Sequence, residues 1–312
     1  MSGIGAFTDS DVVIGLDVGG TKIAGGLVDG AGRVRDRMLR PTRRDNPDDT
    51  VRELVGELLA RARERSWRVR AVGAGYPEYV SPDGLLTSTE VLSWSQQPAD
   101  LLRELCPTVP IVVESDVRAG ATAEATWGAA RQLPSFFYVS LGTGLSCALV
   151  LSGRAMPGTR GEALALGECE VPNRPLSAFP NALAEATRGN LEAFVSGDGI
   201  ARRYTERTGR QVDEAAPVVS ASETDPVARE ILTTAGIALG TVLGSMVAVL
   251  DPAAVVLGGG LGCADGLLSD TIGETFARTT SRRPNGPPLL RAAGRDDAGL
   301  LGAAALAAAT AR

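Results

Sequence analysis

A strand–glycine turn–strand unit occurs twice in this chain, and that repeat restricts the fold more than any other feature. The first copy is apolar from Asp11 to Leu16. It turns through Asp17-Val18-Gly19-Gly20-Thr21-Lys22, continues apolar to Val28 and reaches a second turn at Asp29-Gly30. The second copy runs through Phe137-Tyr138-Val139-Ser140-Leu141, turns at Gly142-Thr143-Gly144, continues from Leu145 to Leu151 and turns again at Ser152-Gly153. Short apolar runs bounded by Gly, Asp and Ser are hairpin signals. A chain of 312 residues is also longer than one hydrophobic core usually supports. The reading is an internal duplication, with two lobes that each open on the same hairpin.

Helices fill the intervals. Val51, Leu54, Val55, Leu58, Leu59 and Ala62 recur at helical spacing behind Pro47. Residues 69–75 and 111–113 read as strands, and an Ala-rich helix follows the second to about residue 130. Strands alternating with helices predict an α/β sheet with parallel pairs. Residues 231–250 carry no charge and include Gly236, Gly240 and Gly244, a pattern long enough for a membrane helix. Thr233, Thr234, Thr241 and Ser245 dilute its hydropathy, and a strand follows at residues 254–257. A helix packed inside a folded protein is the expectation, begun by Asp225-Pro226 as cap and first turn. The Ala-rich tail reads as a second packed helix, too short to span a bilayer.

Composition then excludes whole classes of chemistry. The chain has no histidine, which removes Ser-His-Asp and Cys-His catalysis and every His-ligated metal or haem. Carboxylates and backbone dipoles must carry any catalysis. The net charge of −6 argues against a nucleic-acid partner, which needs a basic face. Cys106, Cys147, Cys169 and Cys263 form no CxxC pair and fit reduced thiols. The first ten residues show no signal peptide, so a cytoplasmic protein with no membrane partner is expected.

Five segments could hold chemistry. In Asp17 to Lys22, glycines let backbone N–H groups approach phosphate oxygens. Thr21 adds a hydroxyl, Lys22 (the only lysine) a charge, and Asp17 a carboxylate for hydrated Mg²⁺. The same turn is also an ordinary glycine hairpin. Gly142-Thr143-Gly144 repeats the design, and a strand follows it where a dinucleotide fingerprint would have a helix. Gly258-Gly259-Gly260 closes a strand and could let a flat ring lie on backbone, or be a loose loop. Ser115-Asp116 ends a strand where ligands bind in open α/β sheets. Asp116 is a general base there or part of a helix cap. Glu168, Glu170 and Glu192 could grip a polyol or be solvated surface.

Taken together, these segments resemble the ROK family of sugar kinases and sugar-responsive repressors, within the actin-like ATPase superfamily. The resemblance runs almost end to end. It is carried by Asp17 to Lys22, Ser115-Asp116, Gly142 to Gly144, Gly167-Glu168, Asp251-Pro252 before the 255–261 segment, and Ala298-Gly299-Leu300-Leu301-Gly302-Ala303. It implies a two-lobed actin-like ATPase (RNase H-like) α/β fold with a duplicated core. The small lobe would cover residues 1–114 with 298–312 packed back on it, and the large lobe 115–297. It implies ATP and Mg²⁺, closure on a sugar-like acceptor, and a homodimer. Gly19, Gly20, Thr21, Lys22, Gly142, Thr143, Gly144, Gly258, Gly259 and Gly260 would bind ATP. Asp17 would hold Mg²⁺ through water, and Asp116 would be the base. Ser115, Glu168, Glu192, Gly75 and Glu78 would face the acceptor.

The chain departs from the family on the acceptor side. Gly167-Glu168-Cys169-Glu170-Val171 stands where Gly-Glu-x-Gly-His is common, so Val171 replaces a zinc-binding histidine. Gly189-Asn190-Leu191-Glu192 keeps the final glutamate of the cysteine-rich motif and loses the cysteines. Leu183, Glu185 and Asn190 stand at the ligand positions, so no zinc site is expected. Pro77-Glu78 replaces Pro-Gly, and Ser115 replaces an asparagine. The expectation is a kinase for a modified hexose or a C7-cyclitol rather than plain glucose. The alternatives are a catalytically idle sugar-binding or regulatory protein, or an ATPase doing conformational work.

Overall fold

The computed structural model describes residues 7–311 apart from 90, 284 and 294–296. In the first half, the elements are β1 (Asp11–Val18), β2 (Lys22–Val28), β3 (Val34–Pro41), α1 (Pro47–Glu64), β4 (Arg68–Tyr76), α2 (Pro98–Leu105), β5 (Ile111–Ser115) and α3 (Asp116–Thr126). Then follow β6 (Ser135–Leu141), β7 (Leu145–Leu151), β8 (Arg154–Ala155), α4 (Pro180–Ala186), α5 (Leu191–Val195), α6 (Gly197–Thr208) and α7 (Ala216–Ala221). The last are α8 (Pro226–Leu250), β9 (Val255–Gly258), α9 (Leu267–Thr280), β10 (Leu289–Arg291) and α10 (Ala298–Thr310). The Ala-rich helix α3 stops at Thr126 rather than near residue 130, where Trp127 caps it.

The duplication appears as topology. One sheet has the order β3-β2-β1-β4-β5, and the other, taken from β8, has β8-β7-β6-β9-β10. In each, the opening hairpin and its following strand form one edge, and two crossover strands complete the other. β1 is antiparallel to β2 and parallel to β4, and β4 is parallel to β5. β6 is parallel to β9, and β9 to β10. The hairpin turn after β7 works as its residues suggest, because Ser152 and Gly153 both adopt positive φ.

Contacts divide the chain into two compact units. The first groups Met1–Gln132, Ala148–Ala163 and Asp296–Arg312, and the second Leu133–Cys147 and Leu164–Arg295. Helix α3 groups with the first unit.

β1 is buried on both faces. Val12, Ile14 and Leu16 join Leu54, Val55 and Leu58 of α1, while Val13 joins α10 through Leu300, Ala304, Ala307 and Ala308. Each such leucine or isoleucine contributes about 1.5–3 kcal/mol by leaving water. α10 approaches the sheet closely because both surfaces are small. A Cβ on Gly15 would stand 2.5 Å from the Leu300 carbonyl oxygen, and one on Gly73 would meet the Ala303 carbonyl.

The long apolar helix α8 lies in the second unit's core, with Ile231, Leu232, Ala235, Leu239 and Leu243 fully buried. Its glycines form the seam with α9. A Cβ on Gly236, Gly240 or Gly244 would reach Thr271, Thr275 or Thr279 respectively, at 2.8 Å or less. Asp225 caps the helix by accepting from the Val227 and Ala228 amides.

Candidate active site

Three parallel strands in the first unit end in register. Asp17 of β1 lies opposite Gly75 of β4, and Gly75 and Tyr76 lie opposite Glu114 and Ser115 of β5. Asp116 follows as the first residue of α3. Gly75 lies directly beside it: a Cβ there would stand in van der Waals contact with the Asp116 Cα, at 3.4 Å. Ser115 is the cap residue, its Oγ accepting from the Arg118 amide at 3.4 Å. Ser115 therefore begins the helix as its cap, and Asp116 stands at its first position.

Asp116 keeps partial solvent access but stands among closely packed groups. Burial pushes its carboxyl up to about 7, and the negative charges of Asp17 and Glu78 push the same way. The Val117 amide, donating at 2.6 Å, and the Arg118 cation partly oppose this. Asp17 is also raised by burial, with Asp297 adding to the shift and Lys22 and Arg37 opposing it. A Cβ on Gly299, at the start of α10, would overlap the Asp17 carboxylate. Glycine at that position is what admits the side chain.

The first glycine turn is tight. The Gly19 amide donates to the Lys22 carbonyl at 3.0 Å, and the Thr42 hydroxyl donates to the Gly19 carbonyl at 2.7 Å. Thr21 and Lys22 are exposed. Arg44 donates from Nε to the Gly20 carbonyl, adding a cation that its place in an Arg-rich loop did not single out. Glu78 is buried, and its carboxylate accepts from the Ser88 hydroxyl at 2.5 Å and from the Val91 and Leu92 amides. Its direct work is to hold the 88–92 loop. A Cβ on Gly20 would meet Val91 of that loop at 2.7 Å.

In the second unit, two glycine turns come together at the ends of β6 and β9, where Ser140 pairs with Gly258. A Cβ on Gly142 would lie 4.0 Å from the Gly260 amide nitrogen. Gly259 has φ +81°, and a Cβ there would collide with the Leu141 carbonyl. The same carbonyl accepts from the Leu261 and Gly262 amides. The carbonyls of Gly142 and Thr143 accept from the Gly197 and Asp198 amides, so the start of α6 docks on this turn. Thr143, Gly144 and Gly260 are exposed.

Glu192 joins the turn from α5. Its Oε1 accepts from the Leu145 amide at 2.9 Å, and a Cβ on Gly144 would reach that oxygen at 2.6 Å. Glu168 is exposed on a short 3₁₀ turn, whereas Val171 lies in the hydrophobic core. Glu185 pairs with buried Arg203 at 2.6 Å, and Asn190 caps α5 by accepting from the Ala193 amide. Arg203 also donates to the Phe194 carbonyl and the Thr234 hydroxyl. Nothing in the sequence marked Arg203. Among the described residues no group of three or more His, Cys, Asp or Glu is placed to hold a metal ion.

Two sheets of repeated order, each with glycine turns at the ends of its parallel strands, define an actin-like ATPase fold. The sequence profile of the ROK family matches residues 13–310, and the chain belongs to that family. The glucokinase of Streptomyces coelicolor is 28% identical over 326 residues, covering 95% of this chain and 97% of that protein. A ROK hexokinase from Thermus thermophilus superposes with a TM-score of 0.79 at 30% identity, over 95% of this chain and 97% of that one. A ROK glucokinase from Streptomyces griseus, solved with glucose and AMPPNP, gives 0.76 at 27% identity, over 95% and 99%.

Proposed function

We propose that this protein is an ATP- and Mg²⁺-dependent kinase that transfers the γ-phosphoryl group to a hydroxyl of a sugar or sugar-like cyclitol. The observation that carries the reading is Asp116, a carboxyl raised to about 7 at the end of β5. A group with that affinity is about half ionised at neutral pH and basic enough to take a hydroxyl proton. A binding protein has no use for such a base.

The residues present fit the nucleotide. Gly260 leaves backbone uncovered beside Gly142, and a Cβ there would meet nothing within 4 Å. This supports Gly260 as the adenosine seat, with Gly258 and Gly259, which pack on Tyr138 and Leu141, shaping the turn beneath it. Gly19, Gly20, Thr21 and Lys22, with Gly142, Thr143 and Gly144, offer backbone, hydroxyl and ammonium donors to phosphate. One partly buried carboxylate, Asp17, suits a Mg²⁺ that keeps several waters. Mg²⁺ bound with the nucleotide supplies charge that offsets the phosphate oxygens.

Asp116 accepts the proton as the acceptor oxygen forms its bond to phosphorus. The bond from the γ-phosphorus to the bridging oxygen breaks, and ADP leaves with that electron pair. Ser115, Gly75, Glu168 and Glu192 line the acceptor side in this reading, and Glu78 supports it through the 88–92 loop. Val171, buried in the core, offers the acceptor no polar atom, which favours a modified hexose or a C7-cyclitol over glucose. The test is ADP release from Mg·ATP against glucose, N-acetylmannosamine, N-acetylglucosamine, fructose and several C7-cyclitols. Acceptor-dependent release lost in Asp116→Asn supports the proposal. Acceptor-independent release would make the protein an ATPase. Silence with ATP still bound would favour an idle sugar-binding protein.

A further inference from the structure

Arg118 is two residues beyond Asp116, in the first turn of α3, and only 4% exposed. A lone arginine in an Ala-rich helix is usually a solvent-facing residue. Here the guanidinium points inward and is fully occupied. Nε donates to the Glu114 carboxylate at 2.7 Å, Nη1 to the Gly161 carbonyl at 2.8 Å, and Nη2 to the Val80 carbonyl at 2.6 Å. Nη2 also stands 2.5 Å from the same Glu114 oxygen, which accepts from the Ser115 amide as well. Val80 and Gly161 are both buried, so their carbonyls need a protein donor.

The two carbonyls belong to different loops. Val80 follows β4 in the segment that carries Glu78, and Gly161 follows β8. The loops are pressed together at this point: Gly161 has φ +88°, and a Cβ there would overlap the Val80 carbonyl. One planar fork therefore joins the end of β5, the root of α3 and both loops. Lysine could not do this, because its donors radiate from one nitrogen.

We propose that Arg118 is a positioning residue for the acceptor side of the site, holding the loops after β4 and β8 against the root of α3 and so fixing the chain around Asp116. The proposal rests on Asp116 as the base. Arg118 itself touches neither substrate, and the phosphate turns do not depend on it.

The test compares Arg118→Met, Arg118→Lys and Gly161→Ala with the unaltered protein. The acceptor is whichever of glucose, N-acetylmannosamine or a C7-cyclitol gives most ADP release. Arg118→Met is expected to raise the acceptor KM about tenfold or more and to lower kcat, with the ATP KM changed by no more than about twofold. Arg118→Lys keeps the charge and is expected to leave the acceptor KM raised. Gly161→Ala keeps Arg118 and is expected to show the same split. If Arg118→Met does not fold, the other two carry the test.

Hydrogen exchange gives a reading that needs no acceptor. Faster exchange confined to residues 77–81 and 157–163 is expected in all three variants. The proposal is overturned if the folded variants keep the acceptor KM and kcat within about twofold, if the ATP KM rises equally, or if exchange rises uniformly. Asp116→Asn is measured alongside. Undiminished turnover in that variant would remove the base and leave the exchange result for Arg118 standing on its own.

Discussion

Replacing Asp116 by Asn tests the chemistry most directly. The change removes the base and keeps the shape and one hydrogen-bond acceptor. A positioned general base contributes about 10²–10⁴-fold, so kcat should fall by that factor, which is about 3–5 kcal/mol of barrier. ATP should still bind, because the glycine turns are untouched. The structure also sets the pH dependence. Burial, Asp17 and Glu78 place the Asp116 carboxyl at about 7, so the proton must leave before the group can act. At pH 6 about one tenth is ionised, and kcat/KM of the unaltered protein should fall about tenfold per unit below the midpoint. Stability runs the opposite way. A carboxyl raised in the folded state keeps its proton where the unfolded chain has lost it, so its contribution weakens as pH rises from about 4 to 7. Asp116→Asn should therefore melt higher than the unaltered protein at pH 8 and much the same at pH 4. The assays are coupled ADP release from pH 5 to 9 and thermal melting across that range, extended down to pH 4. A variant within tenfold of normal turnover, or an acid limb near 4, would refute the reasoning.

Gly302→Ala would push a methyl into the Ala119 carbonyl of α3, three residues beyond Asp116. Overpacking of this kind costs about 1–3 kcal/mol, so melting should drop by several degrees and kcat should fall more than ATP affinity. Gly259→Ala would strain a φ of +81° against the Leu141 carbonyl, and isothermal titration should show weaker ATP binding at roughly 1–2 kcal/mol of strain. Glu185→Gln would leave buried Arg203 without its carboxylate, and urea unfolding should show a loss of about 3–5 kcal/mol. Metal analysis of the purified protein should find no stoichiometric zinc, and one zinc per chain would overturn the reading of Glu185 and Asn190 as non-ligands.

The repeat of strand, glycine turn and strand was legible in the sequence because it is local. Alternation, turn residues and helical spacing are written into neighbouring positions. They led to both hairpins, the buried helix α8 and the strand end that carries Asp116. The family motifs added the residues proposed to bind the nucleotide. What lay out of reach depends on partners distant in the chain. Glu78 reads as an acceptor-side residue in sequence, and only the fold shows Ser88, Val91 and Leu92 donating to its carboxylate. Glu192 looks solvated until α5 lays it against the Leu145 amide. Arg118 looks like helix surface until two loops deliver their carbonyls to it. Asp116 is an ordinary aspartate in sequence, and its carboxyl is raised towards neutrality only through burial and the approach of Asp17 and Glu78. Local pattern fixes which elements form. Desolvation and charge depend on what the folded chain places around a group, and only the tertiary structure decides that.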